Sequence, residues 1–342
     1  MKLIVAKDGT GDYTSLQAAV DAVPENGPAM ILVKKGVYRE RVIVNRDHLR
    51  ILGEDRDETV VTWSAYALEK DPDGTTRDTF LSFTLLVTGR DVTVENITIR
   101  NDAGDGRAVG QAVAVYAAGD RGRWLGCRMI AHQDTLFCGP VMPKVLRDIA
   151  PRTSRAECVP AVNEPLHTEG RQYFADCYIE GDVDYIFGSY RCWFEGCTLF
   201  MGERGGWYTA ANTPMDQPFG FVFNRCRLTG CCPEGAGYLG RPWRKYARTL
   251  FLRCDMDACV APVGFADWDE TRVVTELCGE YGTTGIRADQ SARHPRQKRL
   301  TTREAADVTV AAVLGGADHW QPEEEAEAKP TFPPNGLSAG LR

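Results

Sequence analysis

Phe194-Glu195-Gly196-Cys197-Thr198-Leu199 is one copy of a short unit that recurs along the chain. The unit is an apolar or aromatic residue, a spacer or two, a small or polar turn residue, then Cys or Asn, with an aliphatic residue close behind. Other copies are Val94-Glu95-Asn96-Ile97, Trp124-Leu125-Gly126-Cys127-Arg128-Met129, Phe174-Ala175-Asp176-Cys177-Tyr178-Ile179, Phe223-Asn224-Arg225-Cys226-Arg227-Leu228 and Phe251-Leu252-Arg253-Cys254-Asp255-Met256. Key positions 96, 127, 177, 197, 226 and 254 are separated by 31, 50, 20, 29 and 28 residues, the spacing of solenoid coils with one oversized gap. The sequence therefore predicts an all-β fold, a parallel β-helix whose equivalent residues stack into ladders, with Cys or Asn facing inward. In an all-β sandwich, the competing architecture, such a unit has no reason to recur.

Outward from the repeat, the wide gap covers residues 139–170 and reads as a proline-containing, mixed-charge surface insertion on one coil. Near the N-terminus, Thr14-Ser15-Leu16-Gln17 reads as a capping box. Leu16, Ala19, Val20 and Val23 then form the apolar stripe of a short capping helix that ends at Pro24. Thr301-Thr302-Arg303-Glu304 caps a C-terminal helix carrying Ala305, Val308, Ala311, Ala312 and Leu314 and stopping at Gly315-Gly316. The expected organisation is one domain over 1–320 and an acidic, disordered tail over 321–342.

Composition narrows the function classes. The 342 residues are 43% hydrophobic and 25% charged, which excludes a mostly disordered or collagenous chain. A net charge of −7 gives no global field for nucleic acid or an anionic membrane, so neither partner is expected. The chain opens with a four-residue apolar run, short of a signal peptide, so a cytoplasmic location is expected; a secreted form with its signal removed is the alternative. In a reducing compartment the 12 Cys are thiols, five of them assigned to coil packing. No C-x-x-C pair and only five His argue against a zinc site.

Gly336-Leu337-Ser338-Ala339-Gly340 imitates a serine-hydrolase elbow, but only two residues follow it and no acid or His can complete the triad. Three other segments concentrate groups that are costly to bury. In Tyr178 to Gly188, alternation would place Glu180, Asp182 and Asp184 on one strand face, where they repel unless a positive group faces them. Gln133 and Asp134 follow a repeat unit directly, and Arg241-Pro242-Trp243 sets a guanidinium beside an aromatic ring. Singly, each is ordinarily a solvated face, a turn or surface packing. On a β-helix, residues of successive coils at one phase lie about 4.8 Å apart per coil, so distant segments can converge.

Gln111-Ala112-Val113-Ala114, Gln133-Asp134-Thr135-Leu136, the Tyr178 to Gly188 segment and Leu239-Gly240-Arg241-Pro242-Trp243 resemble, in order, the four signature segments of the pectin methylesterase (pectinesterase) family. Gly11-Asp12-Tyr13-Thr14, Gly36-Val37-Tyr38, Val94 to Asn101 and Glu280-Tyr281-Gly282 agree as well, so the resemblance spans about residues 5–320. It implies a right-handed parallel β-helix that hydrolyses methyl esters of homogalacturonan or oligogalacturonides to carboxylate and methanol, as a monomer without metal or organic cofactor. By motif position it makes Asp184 the nucleophile, Asp134 the general acid then base, and Gln111 and Gln133 the oxyanion hole. Arg241 would hold Asp184, and Phe80, Phe137, Phe187 and Trp243 would line the substrate cleft.

These roles are chemically coherent. A nucleophilic carboxylate must be ionised, which a guanidinium favours; an acid that protonates methoxide must begin neutral, which burial and a like charge favour. Three departures from the family pattern stand out. The insertion separates two segments that plant members connect closely, His132 stands where an aromatic residue is common, and Phe265 stands where an additional Trp is found. A polygalacturonase or pectate lyase on the same fold, with Glu180, Asp182 and Asp184 as its acids, and a non-catalytic polysaccharide binder are the alternative readings.

Overall fold

A computed structural model describes residues 1–24, 27–72, 74–142, 145 and 170–323. Most of the expected insertion, and the tail beyond 323, lie outside the described residues. Among those described, the strands form an eleven-stranded, an eight-stranded and a six-stranded sheet, with a further two-stranded pair, and the strand pairs are parallel. Each coil contributes a strand to each large sheet in turn, so neighbours in a sheet are consecutive coils. No described helix is long and apolar enough to cross a membrane.

The repeat unit sits at the corner between the eleven- and eight-stranded sheets. Its aromatic residues are in register, Trp124 with Phe174, Phe174 with Phe194, Phe194 with Phe223 and Phe223 with Phe251. Their rings stack at 6.0, 4.5, 4.4 and 4.6 Å between centroids, at 15° or less from parallel. Burying each such side chain stabilises the fold by about 1.5–3 kcal/mol. The next residue but one turns the corner in the left-handed region: Gly126, Asp176, Gly196, Arg225 and Arg253 have φ between 53° and 59°. The cysteine then points inward, and its thiol donates to a main-chain carbonyl one coil back, Cys177 to Trp124 at 3.2 Å and Cys226 to Phe194 at 3.4 Å.

One copy is aligned differently from the sequence reading. Asn96, φ 54°, is itself the corner residue, and Ile97 occupies the inward place that Cys127 takes a coil later, because Thr98 pairs with Arg128. Asparagine tolerates the left-handed turn, and an aliphatic side chain fills the interior. The ladder is therefore Ile then Cys, without Asn.

The terminal helices also depart in detail. Ser15, not Thr14, caps the helix Leu16–Ala22, and the Glu40 carboxylate from a neighbouring segment takes the N–H groups of Leu16 and Gln17. The Gln17 amide, freed from the expected capping box, bonds Asp21 and Ile43 instead. At the other end the Thr301/Glu304 box forms, but the expected single helix is two, Thr302–Asp307 and Val310–Leu314. The β-branched run Val308-Thr309-Val310 disfavours continued helix, and Thr309 recaps. This lets Val313 and Leu314 pack against Tyr173, Trp193 and Trp320 on the outer face of the large sheet. Arg171 secures the helix end by donating to the carbonyls of Leu314 and Gly315.

Candidate active site

Asp134 and Asp184 each lie two residues ahead of a strand of the six-stranded sheet, Leu136–Cys138 and Ile186–Gly188. Those strands pair Leu136 with Ile186, so the two aspartates hold one phase on successive coils. Both are left-handed, with φ of 66° and 52°, a conformation that costs a non-glycine residue about 1–2 kcal/mol and marks a constrained site. The Asp134 N–H donates to the carbonyl of Val183, which ties the two bends together. Gly188 makes the close approach possible: a Cβ there would lie 2.0 Å from the carbonyl oxygen of Cys138.

The left-handed turn at Asp184 overturns the alternating-strand reading of Tyr178 to Gly188. The strand Tyr178–Gly181 ends at Gly181, residues 182–184 bend, and a new strand begins at Ile186 in a different sheet. The three acids thus have separate fates. Glu180 accepts from the Tyr178 hydroxyl at 2.7 Å, Asp182 is buried and accepts from the Val183 N–H, and Asp184 turns to Arg241.

Arg241 arrives from a later coil, its N–H bonded to the carbonyl of Thr209 beside Ile186. Nε and Nη2 donate to the two Asp184 oxygens at 2.8 and 2.7 Å, a planar fork on a planar carboxylate. The guanidinium lies 3.7 Å from the centre of the Trp207 ring and 4.0 Å from that of Trp268. Trp207 escaped the sequence reading. Its signal is Gly205-Gly206 just before it, since a Cβ on Gly206 would lie 2.2 Å from the Asp182 carbonyl. Phe265, by contrast, is core: it is buried and packs against Phe251.

The two carboxyls sit in different fields. Burial, the nearby Asp184 and Asp182 together push the Asp134 carboxyl well above the usual carboxylate range, with Arg241 and a bond from Gln133 opposing. Burial also raises Asp184, and Arg241 pulls it back. Arg241 thus lowers the Asp184 pKa as the charge pairing requires, and desolvation outweighs it in the net shift. The order survives, because Asp184 has the bidentate cation and Asp134 does not, so Asp184 ionises first.

Gln133 is half-buried at the same bend, packed on Gly106, and its carbonyl accepts from Ala112. Gln111, one residue before Ala112, is half-buried on the preceding coil, so the two residues stand on adjacent coils. The aromatic candidates form one wall: Phe80 meets Phe137 edge-on at 4.9 Å, Phe137 lies 4.8 Å from Phe187, and Phe187 lies 6.0 Å from Trp243. Phe137 and Phe187 are only 1% and 4% exposed. They sit within this apolar cluster, while half-buried Phe80 and Trp243 keep exposed edges.

With this geometry in view, the pectinesterase family model matches residues 2–141 and 162–317. The chain is 32% identical over 310 residues to pectinesterase 31 of Arabidopsis thaliana, covering 88% of each. It is 31% identical to putative pectinesterase 11 of the same plant, over 93% of this chain and 80% of the relative. Among solved structures, the pectin methylesterase from carrot superimposes with a TM-score of 0.75 at 29% identity, covering 92% of this chain and 93% of that one. The pectin methylesterase PemA from Erwinia chrysanthemi gives 0.74 at 26% identity, over 93% and 97%. A pectin methylesterase solved in complex with a hexasaccharide gives 0.73 at 26%, with the same coverage.

Proposed function

The chain belongs to the pectinesterase family and is a carboxylic ester hydrolase that de-esterifies pectin, and on that premise we propose that Asp184 and Asp134 divide the reaction between them. The observation that carries this assignment is the unequal pairing of two buried carboxyls on adjacent coils: Asp184 is clamped by Arg241, Asp134 is not.

The Asp184 carboxylate attacks the ester carbonyl carbon. The amides of Gln111 and Gln133 donate to the oxyanion of the tetrahedral intermediate, each such donor contributing about 3 kcal/mol to the transition state. As the intermediate collapses, the C–O bond to methoxide breaks and neutral Asp134 supplies the proton that makes it methanol, leaving an acyl-enzyme anhydride on Asp184. Asp134, now a carboxylate, takes a proton from water as the oxygen attacks the same carbon. Collapse of the second intermediate expels Asp184 as carboxylate, and both residues return to their starting states. The sum is one ester and one water giving one acid and one methanol.

Arg241 holds the nucleophile's rotamer, and the Trp207 and Trp268 rings hold Arg241. Exposed edges of Phe80 and Trp243 offer flat apolar surface to sugar rings. The unpaired thiols of the described cysteines support a reducing compartment, with short oligogalacturonides as substrate. Methanol release from methylated oligogalacturonides tests the reading. Turnover that persists in Asp184→Asn would overturn it, and products with new reducing ends or unsaturated sugars would point to a glycosidase or lyase.

A further inference from the structure

Asp182 is the buried acid that the reaction above leaves unused. Its carboxylate is 3% exposed, accepts from the Val183 N–H at 2.6 Å, and faces Nδ1 of His132 at 3.5 Å. The backbone makes the pair rigid: the Asp182 N–H donates to the carbonyl of His132, and the Asp182 carbonyl accepts from Trp207. Val183 then links Asp182 to the acid, since its N–H serves the Asp182 carboxylate and its carbonyl serves the Asp134 N–H. The His132 side chain is half-exposed, so solvent protons reach it.

We propose that Asp182, with His132 as its counter-ion, is a positioning residue for the acid–base cycle of Asp134. This deepens the assignment of Asp134 as general acid and rests on it. When His132 carries a proton, the pair is nearly neutral as seen from Asp134. When His132 loses it, the Asp182 charge is uncompensated and Asp134 holds its own proton more firmly, at the pH where it would otherwise be losing it. The device extends the working range on the alkaline side and makes Asp134 a stronger base in deacylation.

The surrounding charges are consistent with this. Asp105 and Glu180 add to Asp182 in raising the His132 pKa against the effect of burial. Arg107, held by Asp105, also feels Asp182 and Glu203, and Asp184 and Arg241 face Asp134 from the other side.

The test is the pH profile of kcat/KM for methanol release, compared across charge variants. Asp182→Asn should move the alkaline limb down by about one pH unit, the size a close neighbouring charge imposes. His132→Lys, which makes the counter-ion permanent and leaves the buried carboxylate in place, should move it the same way. His132→Gln should leave the limb at or above its wild-type position. If Asp182→Asn fails to fold, the contrast between the two His132 variants decides. An alkaline limb that stays fixed in His132→Lys, or that shifts alike in Lys and Gln, overturns the proposal. Loss of turnover in Asp134→Asn alongside such a result would show that the general acid stands and the coupled pair does not.

Discussion

Asp134 and Asp184 occupy one phase of adjacent coils, each two residues ahead of the register pair Leu136 and Ile186, although fifty residues separate them in the chain. The next described strand after Leu136–Cys138 is Arg171–Ala175, and the strands that follow the two bends pair in register. What differs between the aspartates is the third partner. Arg241 grips one of them, and at the other burial and like charges outweigh the bond from Gln133 and the more distant pull of Arg241.

Asp184→Asn and Asp134→Asn should each lower kcat by at least about a thousandfold, since each removes a group that acts in every turnover. The double variant should be scarcely worse than either single one. Steady-state methanol release checks this, and additive losses would show that the two do not act as a unit.

The stability consequence of Asp134 has a definite sign. Its pKa is raised on folding, so its contribution is fully present below the unfolded value near ~3.9 and is lost as pH rises towards the folded value. Asp134→Asn, which cannot ionise, should unfold at or above the wild-type temperature at pH 7, and the gap should shrink on acidification to about pH 3.5. Calorimetric melts across that range measure it, and a gap that widens on acidification would contradict the buried neutral acid.

Arg241→Lys should cost about a hundredfold in kcat/KM, because an ammonium cannot make the two-pronged bond or lie flat between Trp207 and Trp268. Asp184 is raised by burial and pulled back by the guanidinium, so weakening that pull should move the acid limb of the kcat/KM profile to higher pH. An unmoved acid limb would mean that Asp184 does not titrate there.

Gly188→Ala should destabilise the fold by about 2–3 kcal/mol, because the added methyl meets the Cys138 carbonyl and the residue has φ 129°. Phe223→Ala, in the middle of the aromatic stack, should cost about 3–5 kcal/mol. Denaturant titration measures both losses and methanol release separates them: Phe223→Ala should retain turnover at low temperature, whereas Gly188→Ala, two strand residues beyond Ile186, should lower it as well.

The coil repeat was legible because its causes are local: an aromatic, a left-handed corner and a thiol recur wherever the chain turns the same corner. Asn96 was misplaced by one residue for the same reason, since as a corner residue it looks, in sequence, like the polar occupant of the next position. The four signature segments, and with them Asp134, Asp184 and Arg241, could be found from residues in order. Sequence alone therefore determined the architecture and the chemical class of the enzyme, and it named the charged groups proposed here for the site.

Tertiary structure decided what those groups face. Whether Asp182 shares a strand face with Asp184 or turns to His132 depends on a left-handed bend that alternation does not reveal. The Trp207 and Trp268 rings meet Arg241, and Phe80 meets Phe137 edge-on, through contacts made between coils. Protonation is decided at the same level. Burial, set by the whole fold, outweighs the Arg241 charge at Asp184 and combines with Asp184 and Asp182 to push the Asp134 carboxyl well above the usual carboxylate range. Desolvation and Coulomb fields depend on distances through space, and residue order carries those only where the chain repeats.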